Sequence, residues 1–323
     1  MKNVLVPLPG EDWIVDRIAS EFIDNTKHHI VNYNHYSNDE EDYTEEKSYE
    51  NCDVIMLFAS FTWKRIIKHY LETKRFIVMQ HHCVPQKFDL QDFSERDTFV
   101  DAYIVPNKHT ETFIKQYTSK PIYKINYWIN KELWQQTNRN ETRKLLRLED
   151  KFVVFSAIRD TEGAGCDGPI PQPKIEKNPE GFVKAIKLVR KEIDNMHILL
   201  AGWRRQYIIK RLKEENIDFT YIERPGLDVI NKLYDASDLC IQSSIYEGGS
   251  QQLLEASFKH IPIISTDCGM ASEILSENCM FDVATRFYLP TQEDVEYAHQ
   301  QVLKKCDMQQ QIQKIDTIIE SYI

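Results

Sequence analysis

Two carboxylates flank a Gly-Gly turn in the sequence YEGGSQQLLE, residues 246–255. The glycines permit positive φ, and a helix predicted over about residues 251–259 would direct its amino end at an anion. At helical spacing Glu255 falls nearly opposite the apolar stripe of that helix, so its carboxylate is expected to face a cleft or water. Such carboxylates are poor phosphate ligands but good acceptors for sugar hydroxyls. The turn by itself is equally consistent with a capped surface helix that carries exposed glutamates.

Two cations lie close to the end of another predicted strand. Arg159 follows the segment FVVFSAI, and Lys177 begins a predicted helix after the Gly/Pro-rich stretch DTEGAGCDGPIPQPK. Fixed cations at the end of a strand can stabilise the negative charge that grows on a leaving diphosphate. At most other surface positions, arginine and lysine side chains bind no ligand and have no specific function.

Short apolar segments alternate with amphipathic ones along the chain. This pattern predicts strands buried on both faces, in parallel sheets covered by helices. The predicted strands begin near Val4, Asp53, Phe76, Ala102, Phe152, His197, Phe219, Asp238 and Pro262. Ligands of open parallel sheets bind beyond the carboxyl ends of the strands, so we expect a site in the loops that follow them.

The alternation predicts an α/β fold with two doubly wound domains. We place the first domain at residues 1–150, the second at 151–290, and a helical tail at 291–323 that packs back towards the first domain. A charged helix precedes the boundary near Asp150. The acidic run from Asn38 and the stretch from Asp160 are predicted to lack regular structure, the acidic run as a solvated loop.

Composition excludes several classes of protein. The net charge of −10 over 323 residues argues against a non-specific nucleic-acid surface. The seven cysteines are scattered without zinc spacing, which favours free thiols in a reducing compartment. No segment reads as a signal peptide or a membrane span, so a cytoplasmic protein is expected.

A peripheral membrane contact is an alternative that the sequence leaves open. The stretch WKRIIKHYLETKR from Trp63 is basic, with apolar residues at helical spacing. It fits an ordinary surface helix, and it also fits a helix that lies on anionic lipid at the inner face of a membrane.

Motifs of other nucleotide enzymes are missing. No G-x-G-x-x-G follows a strand, which disfavours a dinucleotide-dependent dehydrogenase, and no G-x-x-x-x-G-K indicates a P-loop. No Asp-x-Asp follows a strand, so a metal-dependent transferase of that type is not predicted.

The segment IYEGGSQQLLEASFKHIPIISTDCGMASEI resembles the C-terminal signature of the retaining glycosyltransferases of family 4 (group 1). In that signature two glutamates stand eight residues apart, and a strand then ends in a loop of small residues. FSAIRD, with the later KIEKNPEGF, resembles the Arg and Lys segment of the family, and INYWINKELW is similar to its interdomain strand. The likeness covers most of the second domain and only the layout of the first.

The resemblance implies a GT-B fold, in which two Rossmann-like domains face a cleft and the second holds a UDP- or GDP-linked sugar donor. Glu247 would then bind the donor sugar and Glu255 the ribose hydroxyls. Arg159 and Lys177 would hold the diphosphate, together with the backbone of Gly248, Gly249 and Ser250. A histidine at the end of a first-domain strand, His82 or alternatively His81, would lie near the sugar. Candidates to contact the base are Gly202, Trp203, Arg204, Glu223 and Arg224.

The chain departs from the family pattern in three places. The Gly/Pro-rich insert separates Arg159 from Lys177, Asn178 replaces the usual glycine, and the first loop, PLPGEDW, offers only Gly10 for close approach of an acceptor or phosphate. The implied reaction is metal-independent transfer of a hexose, with retention, to a glycan, lipid-linked or protein acceptor in cell-surface or secreted glycan assembly, without a resident cofactor. Alternatives are a sugar-nucleotide epimerase, a phosphorylase, and a non-catalytic partner of an active transferase.

Overall fold

The computed structural model describes residues 1–8, 10, 14–31, 43–163, 171–281 and 288–322, in which strands and helices alternate. The strands are β1 (Asn3–Leu5), β2 (His29–Val31), β3 (Val54–Leu57), β4 (Arg75–Met79), β5 (Ala102–Val105), β6 (Ile122–Lys124), β7 (Phe152–Ser156), β8 (Met196–Gly202), β9 (Phe219–Glu223), β10 (Leu239–Gln242) and β11 (Ile263–Ser265). The helices are α1 (Ile14–Asn25), α2 (Tyr43–Asn51), α3 (Lys68–Thr73), α4 (Leu90–Asp97), α5 (Lys108–Ile114), α6 (Arg139–Leu146), α7 (Pro179–Glu192), α8 (Gln206–Glu214), α9 (Leu227–Asp235), α10 (Gln251–Phe258), α11 (Ala271–Ile274), α12 (Gln292–Lys305) and α13 (Met308–Ser321).

The strands form two parallel sheets, as predicted. The strand order is β2-β1-β3-β4-β5-β6 in the first sheet and β11-β10-β7-β8-β9 in the second. In the second sheet the chain runs outward from β7 to β9 and then crosses to the other side of β7, so the order reverses between β7 and β10. The predicted class, two Rossmann-like parallel-sheet domains, is confirmed. The edge strand β2 was missed because its three residues are too few to show a pattern.

Strands form where apolar side chains can be buried on both faces of a sheet. All four residues of β3 are buried, and Ile55 packs with Phe76 of β4 and Tyr103 of β5 in one core cluster. The second sheet has an equivalent core, in which Val154 of β7 and Leu200 of β8 pack against α7. Burial of these side chains drives both sheets to form.

The chain divides into two compact units. Unit 1 contains Met1–Tyr127 and Met308–Ile323, and unit 2 contains Trp128–Asp307. The boundary that the sequence suggested near Asp150 falls inside unit 2, because the preceding segment is bonded to that unit. The backbone N and Oγ1 of Thr137 donate to Asp235 Oδ2 at 2.7 and 2.6 Å. These contacts are polar, so they leave no hydrophobic pattern in the sequence.

The C-terminal residues are shared between the units. Helix α12 lies in unit 2 and packs against α10, whereas α13 packs against α1 in unit 1. Asp316 of α13 accepts hydrogen bonds from Thr26 Oγ1 at 2.5 Å and Lys27 N at 3.2 Å, and its Oδ1 lies 3.7 Å from His28 Nε2. The C-terminal helix therefore packs on the first domain, as predicted.

Two segments differ from their predicted form. The acidic run was predicted as a loop, but its later part forms α2, while residues 38–42 lie outside the described ranges. The stretch from Trp63 forms a 3-10 turn, Ser60–Arg65, followed by α3, and Trp63, Ile66 and Tyr70 are buried in the core. Most of its apolar residues therefore face the protein interior, and Ile67 is exposed. Within the described ranges no helix is both long and apolar enough to cross a bilayer.

Candidate functional site

The loops after β7 and β10 meet at the reversal of strand order in the second sheet. Arg159 lies on the loop after β7, and Glu247 lies on the loop after β10. The two strands are direct neighbours in the sheet. Since ligands bind at such a reversal, this edge of unit 2 is the candidate site.

The Gly/Pro-rich insert is closed at its base. Lys174 N donates to the carbonyl of Asp160 at 2.7 Å, and Glu162 N donates to the carbonyl of Gln172 at 3.0 Å. Residues 164–170 lie outside the described ranges. The returning chain enters a 3-10 turn, Ile175–Lys177. The insert thus separates Arg159 and Lys177 in sequence while backbone bonds hold their segments together.

Lys177 and Glu247 form an ion pair. Lys177 Nζ lies 2.7 Å from Glu247 Oε1, and the side chains are only 15% and 11% exposed. The same oxygen accepts hydrogen bonds from Ser244 Oγ at 2.8 Å and Gln242 Nε2 at 3.2 Å. The cation predicted for the diphosphate and the carboxylate predicted for the sugar are therefore in direct contact.

Backbone hydrogen bonds hold the two segments of this pair in place. The carbonyl of Glu176 accepts from Ile245 N at 2.8 Å and Tyr246 N at 3.2 Å, and Ser243 Oγ donates to the carbonyl of Lys177 at 3.2 Å. Asn178 follows with a left-handed φ of 46°, and its Oδ1 accepts from Gly181 N at 3.1 Å to cap α7. Asparagine tolerates this conformation and caps helices, so it can replace the glycine usual in the family.

Lys174 is a third cation in this region, and it was not among the residues predicted from the sequence. Its Nζ lies 3.1 Å from Glu176 Oε1, with the lysine side chain 19% exposed. Burial is the largest cause that lowers the pKa of Lys174; Glu176 opposes this, and the charges of Arg159 and Lys177 lower the pKa further. The charges of Arg159 and Lys177 therefore act on Lys174. The backbone bond from Lys174 to Asp160 is not visible in the sequence, so no pattern indicated its position.

In the turn before α10, the positive φ that the two glycines permit occurs at the following residue instead. Neither Gly248 nor Gly249 has positive φ, whereas Ser250 does, at 37°. Ser250 Oγ donates to Gln242 Oε1 at 2.8 Å and does not cap the helix. The helix begins at Gln251 as predicted. The left-handed residue is thus the serine, and its side chain ties the turn to β10.

A glycine on a neighbouring loop allows this turn to be packed closely. Gly269 has a φ of 56°, and a Cβ there would lie 2.8 Å from the carbonyl oxygen of Gly248 and 2.9 Å from Cβ of Glu247. Only glycine satisfies both constraints without displacement. Gly269 stands in the TDCG segment that the motif contains, but its contact with the first glutamate required the structure.

Glu255 is buried, which contradicts the prediction that its carboxylate faces a cleft or water. Glu255 is 6% exposed, and its Oε2 accepts a hydrogen bond from Tyr234 Oη at 2.8 Å. Tyr234 of α9 packs edge-on against Phe155 of β7. Helical spacing gives the direction of Glu255 relative to α10, but it does not reveal that α9 covers that direction.

Three guanidinium groups, from the loops after β7, β8 and β9, lie around the indole of Trp203. The ring centre of Trp203 lies 3.8 Å from Cζ of Arg204, 4.1 Å from that of Arg224 and 5.7 Å from that of Arg159. Gly202, Arg204 and Arg224 all have left-handed φ, of 97°, 59° and 44°. Strained backbone of this kind is frequent at ligand sites. Glu223, the remaining base candidate, is exposed at the end of β9.

A second ion pair supports the loop that carries Arg159. Arg205 Nε donates to Asp160 Oδ2 at 2.5 Å, and its Nη1 donates to the carbonyls of Ser156 at 2.7 Å and Ala201 at 2.9 Å. Arg205 is 1% exposed and Asp160 4% exposed. Burial is the largest influence on the pKa of Asp160 and raises it, although Arg205 opposes the shift. This pair fixes the ends of β7 and β8.

The first-domain candidates lie in unit 1. His81 and His82 follow β4; the ring of His81 packs edge-on against Tyr127, and burial lowers the pKa of His81 to about 3. His81 is therefore neutral at physiological pH. Gly10 has a φ of 69°, and its N–H donates to Asp16 Oδ1 at 3.2 Å. In the described part of the chain, no group of three or more His, Cys, Asp or Glu side chains is arranged to hold a metal ion.

Residues 165–304 match the model of a family described as glycosyl transferases group 1. No curated protein matches the chain significantly. Among solved structures, HepE of Anabaena in complex with UDP-glucose is 13% identical, with a TM-score of 0.74 and coverage of 99% of this chain and 100% of that one. Sucrose-phosphate synthase from Thermosynechococcus elongatus is 13% identical, with a TM-score of 0.71 and coverage of 99% and 98%.

A glycosyltransferase from Rickettsia africae is 15% identical, with a TM-score of 0.62 and coverage of 99% of this chain and 97% of that one. These likenesses extend over both units, beyond the range of the family model. The chain therefore has the GT-B fold of these glycosyltransferases and resembles the group 1 family, as its motifs predict.

Proposed function

We propose that the protein transfers a hexose from a UDP- or GDP-linked donor to an acceptor hydroxyl, with retention of the anomeric configuration. The observation that carries the proposal is the contact of Lys177 with Glu247 at the strand reversal, beside the loop of Arg159. In a nucleotide sugar the diphosphate is next to the sugar. A cation that can bind phosphate, in contact with a carboxylate that can accept hydrogen bonds from sugar hydroxyls, fits that arrangement. The match to the group 1 family model supports sugar transfer, and the UDP-glucose complex of HepE supports a nucleotide sugar as donor.

In the proposed reaction, Arg159 and Lys177 hold the diphosphate, and Glu247 accepts a hydrogen bond from the sugar. The bond from the anomeric carbon to the phosphate oxygen breaks, and its electron pair goes to that oxygen. The acceptor oxygen attacks the same face, and its proton passes to the leaving phosphate. Cations fixed near the phosphate stabilise the charge that grows on it.

We propose that the loops that carry Gly202 and Arg224 bind the base of the nucleotide. The backbone of residues 248–250 would bind the diphosphate together with Arg159 and Lys177. Glu255 is assigned to the ribose, although its bond to Tyr234 leaves it buried in the structure. His82, with His81 as the alternative, is assigned to the donor sugar, and Gly10 to the acceptor side. The scheme uses no metal ion, so we expect transfer to continue in excess EDTA.

A panel of nucleotide sugars tests the function. Release of nucleoside diphosphate that depends on an acceptor supports transfer, whereas binding without turnover supports a non-catalytic partner protein. Formation of an isomeric nucleotide sugar would indicate an epimerase, and release of a sugar phosphate in the presence of inorganic phosphate would indicate a phosphorylase. Glycan, lipid-linked and protein acceptors are compared in the same assay.

A cytoplasmic role in cell-surface or secreted glycan assembly stays a prediction from the sequence. Contact with an anionic membrane is a separate prediction, and the burial of Trp63, Ile66 and Tyr70 removes the apolar face on which it was based. Ile67 remains exposed in that stretch, beside Lys68, and Phe61 is exposed just before it. Co-sedimentation with phosphatidylserine vesicles at low salt measures this contact, and its absence would exclude it.

A further inference from the structure

Arg224, on the loop after β9, is held in place although it is exposed to solvent. Its backbone N–H donates to the carbonyl of Gly202 at 3.3 Å, which ties this loop to the end of β8. Tyr221 Oη donates to the same carbonyl at 3.0 Å. The guanidinium carbon of Arg224 lies 4.1 Å from the ring centre of Trp203, which is stacking distance. Backbone and side-chain contacts therefore restrict where this exposed guanidinium can lie.

The backbone of the two stacked arginines is also specified. Arg224 and Arg204 have left-handed φ of 44° and 59°, a conformation that is uncommon for arginine and that concentrates at ligand sites. The carbonyl of Arg204 accepts from Asp160 N at 3.3 Å and Thr161 N at 3.0 Å, so the loop after β8 is bonded to the loop after β7. The structure thus positions hydrogen-bond donors at the end of the sheet where the proposed function places the base.

The chemistry of Arg224 and of its neighbour Glu223 is complementary. A guanidinium stacked on a ring keeps its N–H donors available in its own plane, and it has no acceptor. Glu223 is exposed at the end of β9, and an ionised carboxylate only accepts hydrogen bonds. Consecutive residues therefore offer a pair of donors and a pair of acceptors at one place.

Guanine fits this combination on two adjacent edges. Its O6 and N7 are neighbouring acceptors that one arginine can bind together. Its N1–H and 2-amino group are neighbouring donors that the two oxygens of a carboxylate can accept. Uracil has an N–H donor between two carbonyl acceptors, and adenine has its amino donor beside N7. Neither base offers two adjacent acceptors to an arginine together with two adjacent donors to a glutamate.

We propose that Glu223 and Arg224 select guanine, so that the donor is a GDP-linked sugar rather than a UDP-linked one. Arg224 donates to O6 and N7, and Glu223 accepts from N1–H and the 2-amino group. Trp203 is a positioning residue, because its indole restricts the guanidinium of Arg224. This inference rests on the proposed function and names the base of its donor.

Isothermal titration of the unmodified protein with GDP, UDP and ADP tests the choice of base. We expect GDP to bind about 10–100 times more tightly than either of the others, from the discrimination that a bidentate contact gives. The diphosphates of 7-deazaguanosine, which lacks the N7 acceptor, and of inosine, which lacks the 2-amino group, should each bind about 5–10 times more weakly than GDP. Equal affinity for GDP and UDP, or for GDP and both analogues, would overturn the proposal.

Two substitutions assign the contacts to residues. Arg224→Lys keeps the charge but loses the planar pair of donors, so we expect GDP to bind about tenfold more weakly and no better than the 7-deaza analogue. Glu223→Gln should bind inosine diphosphate as well as GDP. Arg190→Lys, at an exposed position in the last turn of α7, is the control for the same chemical change and should leave every affinity unchanged.

The outcomes separate this inference from the proposed function. If UDP binds more tightly than GDP and its release depends on an acceptor, the base selection is wrong while sugar transfer stands. If the unmodified protein binds no nucleoside diphosphate and no nucleotide sugar, both proposals are wrong. Equal losses of GDP, UDP and ADP in Arg224→Lys would mean that the arginine acts on a group common to all three, and would overturn its contact with guanine. A preference for GDP that survives both substitutions would overturn the assignment to Glu223 and Arg224.

Discussion

Two ion pairs near the end of β7 have similar chemistry but different surroundings. Arg205 and Asp160 are almost fully buried, and the guanidinium is bonded to the carboxylate and to the carbonyls of Ser156 and Ala201. Lys177 and Glu247 keep some exposure and lie on loops where a ligand is expected. The first pair joins two strand ends within the protein, whereas the second lies on loops at the candidate site and is less completely buried. The degree of burial therefore distinguishes the pair that joins strand ends from the pair that lies at the candidate site.

The largest effect is expected from Arg205→Met. Removing the guanidinium leaves Asp160 buried without its main partner, and we expect the free energy of unfolding to fall by about 3–5 kcal/mol. Urea denaturation followed by circular dichroism measures the change. The double variant Arg205→Met with Asp160→Asn should recover part of the loss. A change below about 1 kcal/mol in the single variant would contradict the structural role of this pair.

Lys177→Met should affect chemistry more than stability. We expect kcat/KM for sugar transfer to fall by about 10²–10³, because a fixed cation no longer stabilises the leaving diphosphate. The loss of stability should be smaller than that of Arg205→Met, since Ser244 and Gln242 still donate to Glu247. Steady-state kinetics and urea denaturation on the same preparation measure both quantities. Unchanged kcat/KM would contradict the proposal that Lys177 binds the diphosphate.

Gly269→Ala tests whether the packing below Glu247 positions that carboxylate. A Cβ would meet the carbonyl of Gly248 and Cβ of Glu247, so we expect a loss of about 1–3 kcal/mol in stability and weaker binding of the nucleotide sugar. Gly163→Ala is a matched control, because Gly163 also has positive φ but no atom of the described residues lies within 4 Å of a Cβ there. Equal effects of the two substitutions would mean that φ alone matters.

The smallest effect is expected at an exposed pair. Lys187 Nζ lies 2.6 Å from Glu215 Oε1, with the lysine side chain 47% exposed. Solvent screens such a pair, so Lys187→Gln should change neither the thermal midpoint nor nucleotide affinity measurably. A clear loss in either measurement would show that contact distance matters more than burial in this protein.

The sequence was sufficient to predict features that depend on one segment of the chain at a time. Buried strands are continuous apolar runs, so most strands, the parallel arrangement and the placement of Arg159 and Glu247 after strands could be predicted. Asn178 could also have been interpreted correctly, because asparagine is one of the few residues that accept left-handed φ at a helix cap.

Features that depend on a second element could not be predicted in the same way. The burial of Glu255 results from Tyr234 on another helix, and the position of Lys174 results from a backbone bond to Asp160. The left-handed turn residue is Ser250 rather than a glycine, because its hydroxyl bonds to Gln242 on β10. Periodicity describes one element at a time, so it contains no information on these partners.

The closed base of the insert has a consequence for variation of the chain length. Because Lys174 N and Glu162 N are bonded across the two sides of the base, residues inserted or removed beyond Glu162 and before Gln172 need not move either side. The entropy of closing a loop grows only slowly with its length. Length can therefore change at this place during evolution, or by design, at small expense to the geometry between Arg159 and Lys177.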